Sequence, residues 1–128
     1  MRRTIDDLLA EARGKIGRLE PRAAAEATAG GAVMVDLRCA EDRNRDGSIP
    51  GAVRIPRTVL EWRADPSSAS RDDRIADLAR QLILVCNEGY SSSLAGANLR
   101  DLGFEQVSDV IGGFQAWKEA GLPTTEAT

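Results

Sequence analysis

The chain has 128 residues, with 17 Lys and Arg against 20 Asp and Glu, a formal net charge of −3 and no histidine. That length makes one domain with room for a substantial core, and a slightly acidic balance with scattered basic residues gives no case for nucleic-acid binding. Without histidine, Ser-His and Cys-His nucleophilic pairs and His-ligated metal centres are excluded together.

The amino terminus starts basic but soon meets Asp6 and Asp7 and has no apolar h-region, so it does not read as a signal peptide. Residues 5–12 place apolar side chains at helical spacing behind Thr4, a candidate N-cap, and Gly14 and Gly17 end that helix. A short strand is expected at 17–19. Pro21 opens an alanine-rich helix to about Ala29, stopped by Gly30 and Gly31. Residues 33–37 form a buried-strand pattern whose carboxyl end carries Asp36, Arg38 and Cys39, followed by a short helical turn over 40–45. Asp46-Gly47 and Pro50-Gly51 are turn dipeptides, and 52–55 is a third strand closed by Pro56. A short helix with Trp62 is expected over 58–63, a polar and poorly ordered loop over 64–70, and a further helix over 73–80.

Leu82-Ile83-Leu84-Val85 is a continuous apolar run of the kind buried on both faces of a sheet. A helix over 93–102 turns Leu94, Ala95, Leu99 and Leu102 inward, a strand follows at 106–110, and a last helix over 113–120 is stopped by Gly121 and Pro123. Trp62, Phe114 and Trp117 are expected in the core, since aromatics dominate burial in small domains. Strands and helices that alternate, with connections too long for hairpins, imply an α/β fold of three layers. Its centre is a largely parallel five-stranded sheet with helices on both faces. No apolar stretch approaches the ~20 residues that a spanning helix needs, so no membrane contact is expected.

The chemistry concentrates in Cys86-Asn87-Glu88-Gly89-Tyr90-Ser91-Ser92, between the 82–85 strand and the next helix. The carboxyl end of a strand in an open α/β sheet is where ligands bind. Backbone N–H groups of the turn and the helix start favour an anion there, including a thiolate, and the loop's serines are preferred N-cap residues. Gly89 lets the backbone turn tightly enough to aim those groups inward. The plainer reading makes Cys86 an inert buried cysteine, one of the most buried residue types.

Four blocks resemble the rhodanese-like domains. Val35-Asp36-Leu37-Arg38 is similar to that family's Val-Asp-x-Arg strand end, and 47–52 to its Gly-His-Ile-Pro-Gly-Ala turn with Ser48 in place of His. The loop at 86–92 resembles its Cys-x-x-Gly-x-[Arg/Ser]-Ser loop. Leu102-Gly103-Phe104, Gly112-Gly113-Phe114-Gln115-Ala116-Trp117 and Gly121-Leu122-Pro123 resemble its carboxyl end. The blocks come in family order and cover roughly 19–123, and the chain divides into an N-terminal helix at 1–16, the domain at 17–123 and a flexible tail at 124–128. They also imply a sulfurtransferase, with Cys86 holding a sulfane sulfur as a persulfide inside the N–H groups of Asn87, Glu88, Gly89, Tyr90, Ser91 and Ser92. The donor is then thiosulfate or a persulfide, the acceptor cyanide or a thiol, and a protein donor or acceptor is a further partner. Thiolate attack on a sulfane sulfur removes no proton in the step, so the missing histidine is no obstacle.

The loop carries Glu88 and no basic residue, and an acid there repels a dianionic donor and raises a thiol pKa unless it points into solvent. Arg57 and Arg63 follow a strand's carboxyl end, from which one could lean over the pocket and supply the missing charge. Asp36 and Arg38 read either as a functional pair or as a structural ion pair. A dual-specificity phosphatase needs arginine six residues after the cysteine, where this chain has Ser92. A non-catalytic interaction or redox-sensing module on the same fold is the other alternative. Asp42, Asn44 and Asp46 match half of an EF-hand loop, but Val53 stands where its bidentate Glu belongs, and no metal or cofactor is expected. Cys39 and Cys86 make no disulfide framework, which points to a reducing cytoplasm, and a monomer is expected. Cys39 either packs at a helix start or serves as a resolving thiol.

Overall fold

The computed structural model describes residues 1–126. Five strands, β1 (Gly17–Leu19), β2 (Val33–Asp36), β3 (Val53–Arg54), β4 (Leu82–Val85) and β5 (Val107–Val110), form one sheet in the order β1-β5-β4-β2-β3. Every pairing is parallel. The α-helices are α1 (Ile5–Arg13), α2 (Pro21–Ala29), α3 (Ala40–Asp46), α4 (Leu60–Ala64), α5 (Ser91–Asp101) and α6 (Gly113–Glu119), with a 3₁₀ turn at Arg57–Val59 before α4. Thr4 caps α1 reciprocally: its hydroxyl accepts the Asp7 N–H at 3.1 Å while its own N–H reaches Asp7 Oδ2 at 2.9 Å.

The central strand β4 is buried at every position. Leu82 and Leu84 face a core shared with Val35, Leu60, Ile75, Leu99 and Phe104, on the side of α4 and α5. Ile83 and Val85 face the opposite core with Met34, Ala24, Val110, Phe114 and Trp117, on the side of α2 and α6. Two cores are therefore served by one strand, which is why its sequence is apolar throughout instead of alternating. Helix α1 packs against α5.

Three expectations are corrected. Residues 73–80 form turns, not a helix: the Asp72 and Asp77 carboxylates accept the Arg74 and Ala79 N–H groups at 2.9 and 3.0 Å. Such local bonds compete with the helical ladder. Trp62 is 60% exposed, because Leu60 and Ala64 take the buried stripe of the short α4 and residue 62 falls on the opposite face. The serines after Cys86 do not cap α5; Tyr90 stands at the N-cap without a side-chain bond, and Ser91, Ser92 and Ser93 form the first turn. Leu94 and Leu102 are only partly buried, while Ala95 and Leu99 are fully so.

The half EF-hand sequence is helix α3, where Arg45 binds Asp42 and Asp46, each at 3.0 Å. Thr125, in the segment read from sequence as a flexible tail, exchanges two backbone hydrogen bonds with Ser48, at 3.0 and 2.8 Å. The last two positions of that tail lie outside the described residues. Among the described residues no helix is long and apolar enough to cross a membrane.

Candidate active site

A parallel sheet brings all strand carboxyl ends to one edge. There the loop after β4 lies between the ends of its neighbours β2 and β5. Its floor is the start of α6: the Phe114 N–H donates to Cys86 O at 2.8 Å and the Gln115 N–H to Asn87 O at 3.1 Å. The Gln115 amide also donates to Asn87 Oδ1 at 3.0 Å. Contact is so close that a Cβ on Gly113 would stand 2.6 Å from Cys86 O, and one on Gly89 (φ +88°) 2.8 Å from Gly112 N. Glycine is required at both places.

Within this loop Cys86 is 6% exposed. Its Sγ accepts the Gly89 N–H at 3.2 Å and the Ser92 N–H at 3.4 Å, and lies 3.2 Å from Ser92 Oγ. Burial pushes the thiol pKa up. The Ser92 hydroxyl and N–H, the Ser91 hydroxyl and the Gly89 N–H together more than offset it, and the net direction is down from the ordinary thiol value. Loop N–H groups arranged around sulfur favour a thiolate and equally a terminal persulfide anion.

The other loop residues divide by exposure. Glu88 and Ser91 are exposed, and Tyr90 is 61% exposed with the Arg13 guanidinium 5.6 Å from its ring centroid. The candidates outside the loop make bonds elsewhere. Arg38 is buried and grips both oxygens of buried Asp36 (3.1 and 3.0 Å), donates to Gly47 O, and lies 3.8 Å from the Phe114 ring centroid. Arg57 pairs with Glu61 at 3.1 Å, and Arg63 donates to Ser70 O at 3.0 Å. Among the described residues none of these four hydrogen-bonds to residues 86–92. Cys39 is exposed and stands at the N-cap of α3.

Positive charge reaches the loop from another direction. Arg13 of α1 and Arg18 of β1 both donate to Gly89 O, at 2.8 and 3.1 Å. Arg18 also binds Asp109 Oδ1 at 2.9 Å, and the Asp109 carboxylate, fully buried in β5, accepts the hydroxyls of Ser92 at 2.8 Å and Ser93 at 2.7 Å. Sequence reasoning missed Arg13, Arg18, Ser93 and Asp109. The one available signal was an aspartate inside the strand pattern of 107–110, since a charge in a buried strand needs partners.

The chain is similar to known proteins over most of its length. The GlpE thiosulfate sulfurtransferase of Pseudomonas savastanoi pv. phaseolicola is 35% identical over 101 residues, covering 79% of this chain and 86% of that protein. The adenylyltransferase and sulfurtransferase UBA4 of Meyerozyma guilliermondii is 33% identical over 89 residues, 66% of this chain and 20% of that much longer one. A solved structure from Rhodopseudomonas palustris, described as a protein of unknown function and possible tyrosine phosphatase, superposes with a TM-score of 0.89 at 32% identity, covering 97% and 96% of the two chains. The family model of the rhodanese-like domain matches residues 20–120, from the start of α2 through the last helix and with the cysteine loop inside it, and the chain belongs to that family.

Proposed function

We infer that this protein is a sulfurtransferase that carries a sulfane sulfur on Cys86. The observation that carries the reading is the cradle: a nearly buried sulfur at a strand end, facing two backbone N–H groups and a hydroxyl within 3.4 Å. With thiosulfate, the Cys86 thiolate attacks the outer sulfur, an S–S bond forms to Sγ, and the bond to the sulfonate sulfur breaks. Sulfite leaves with that bond's electron pair, and the enzyme keeps a persulfide anion. Cyanide or an acceptor thiolate then attacks the terminal sulfur, and the Cys86 thiolate departs with its electrons. Charge and sulfur balance in both steps without an external oxidant. The N–H groups of residues 87–92 hold the negative charge in each state.

Similarity to GlpE supports thiosulfate as a donor, and the sulfurtransferase part of the UBA4 name supports the same class of reaction. The phosphatase description of the Rhodopseudomonas neighbour does not transfer. Phosphoryl chemistry on this fold grips phosphate with an arginine of the loop, and here position 92 is a serine turned toward Asp109. Two cysteines without a bridge are in keeping with a reducing, cytoplasmic setting, which is part of this reading.

Incubation with thiosulfate or a polysulfide should add one sulfur mass, which cyanide then removes as thiocyanate. If Cys86→Ser still accepts sulfur and turns over, the assignment is wrong.

A further inference from the structure

The family match begins at residue 20, after α1 and β1, so residues 5–19 stand outside it. Yet two of their side chains reach the sulfur loop. Arg13 spans from α1 to Gly89 O at 2.8 Å and Ser93 Oγ at 3.1 Å. Arg18 leaves β1, whose Cα pairs with that of Asp109 in β5, and divides its guanidinium between Asp109 and Gly89 O. A serine hydroxyl has one proton; that of Ser93 goes to Asp109 at 2.7 Å, so Ser93 accepts from Arg13 and passes the polarisation on. Gly89 O is thus held by two guanidinium groups.

We propose that Arg13 and Arg18 are positioning residues of the sulfur-carrying loop, and that the segment before the family-matched domain is an integral part of the active site. A trans peptide has its C=O and N–H antiparallel. Holding Gly89 O on the two arginines turns the next N–H, that of Tyr90, the opposite way, away from them. No hydrogen bond within the protein uses that N–H among the described residues, which leaves it free for the terminal sulfur or a donor oxygen. The two arginines also supply the charge that the loop sequence lacks. Arg18 is balanced by Asp109, whereas Arg13 has no carboxylate partner among the described residues and leaves net positive charge behind the cradle. The site therefore favours anionic donors despite Glu88.

This inference rests on the sulfurtransferase reading for its kinetic arm only, so two measurements are made on the full chain. The first is the pH dependence of Cys86 alkylation by iodoacetamide, which needs no sulfur chemistry. Arg13→Met keeps the aliphatic stem and removes the donors and charge. It should move the midpoint upward and slow alkylation at neutral pH about fivefold, in keeping with the loss of a nearby opposite charge. Arg13→Lys should recover part of the loss by restoring charge without the two-donor geometry. Arg18→Lys, which keeps a cation beside buried Asp109, should shift the midpoint in the same direction. The second measurement is steady-state use of thiosulfate, where kcat/KM should fall about tenfold in Arg13→Met, less than for deletion of a direct oxyanion donor. Arg3→Ala, which removes an exposed pair with Glu11 on the same helix, should change neither readout. A destabilised Arg13→Met with wild-type alkylation midpoint and wild-type KM would make the contact merely structural and overturn the proposal, as would an equal effect from Arg3→Ala. If the wild type takes no sulfur from any donor, the sulfurtransferase reading fails while the alkylation profile still decides the clamp.

Discussion

The hydroxyl of Ser92 lies 2.8 Å from a carboxylate oxygen of Asp109 and 3.2 Å from the sulfur of Cys86. One proton serves both contacts. In the thiol form the S–H donates to Ser92 Oγ, whose proton points to Asp109; in the thiolate form the hydroxyl can turn to sulfur while Asp109 keeps Ser93 and Arg18. Ser92→Ala removes the support of the thiolate and leaves buried Asp109 short of a donor. Alkylation of Cys86 should reach half of its maximal rate at a higher pH than in the wild type. The wild-type midpoint should lie below that of an ordinary thiol, because the folded value is depressed. The substitution should also cost about 1–3 kcal/mol of stability by urea unfolding. An unchanged pH midpoint would remove Ser92 from the account of reactivity.

Gly113 is the second sensitive point. A Cβ there meets Cys86 O at 2.6 Å and both the carbonyl carbon and oxygen of Asn87 at 2.7 Å, at a φ of +64°. These are backbone atoms and cannot swing aside. Gly113→Ala should displace the loop, cost on the order of 1–3 kcal/mol and abolish sulfur acceptance together with the depressed thiol pKa. Gly121→Ala, with open space around its Cβ and a comparable φ of +73°, should reproduce the backbone strain alone. Equal losses of activity in both variants would show that strain, not contact with the loop, is responsible.

That contact also marks where the sequence stops being legible. The Leu82–Val85 run, the cysteine after it and the Gly112-Gly113 dipeptide each had a readable signature, and the five-strand parallel sheet followed from the alternation of elements. Failure came where an element's partner is distant in sequence. Arg18 and Asp109 are 91 positions apart and meet through strand order alone, because β1 lies at the sheet edge beside β5. Arg57 and Arg63 were nearer candidates by sequence, but Glu61 and Ser70 O satisfy them locally. The 73–80 segment failed for the reverse reason, local aspartate-to-backbone bonds outweighing a weak helical pattern.

Asp36 and Arg38 form a buried pair, with side chains about 1% exposed, that ties the end of β2 to Gly47 O. Arg38→Ala strands a buried carboxylate and should destabilise by about 3–5 kcal/mol in urea unfolding. Asp36→Asn with Arg38→Met, replacing both charges, should cost less than the single change. A direct role in binding donor predicts the opposite ranking in activity: the double variant would fold well and lose thiosulfate turnover.

Glu88 is exposed on the loop that an anionic donor must approach. Glu88→Lys should lower KM for thiosulfate about twofold to fivefold at low ionic strength, and the gain should fade toward 1 M salt, where the screening length is about 3 Å. A neutral persulfide donor should show no change. Improvement that survives high salt would point to altered loop geometry instead of removed repulsion.

The last expectation concerns the second thiol. Asp36 is opposite Val85 in the parallel register, so Leu37 lies beside Cys86 and Cys39 is two residues farther along. Adjacent strands lie about 4.8 Å apart and an extended chain rises about 3.3 Å per residue, which puts the two Cα atoms roughly 8 Å apart. A disulfide needs less than about 7 Å. Cys86 is also enclosed by its cradle while Cys39 faces solvent at the start of α3. Cys39 should therefore behave as an independent surface thiol: it should alkylate in the folded protein, and Cys39→Ser should leave sulfur transfer intact. Limiting peroxide followed by peptide mapping should give oxidised Cys86 on its own, which dimedone traps as the sulfenic acid. A Cys39–Cys86 cross-linked peptide as the main product would show that the loop opens far enough to bring the thiols together, and Cys39 would then be a resolving thiol protecting the persulfide site.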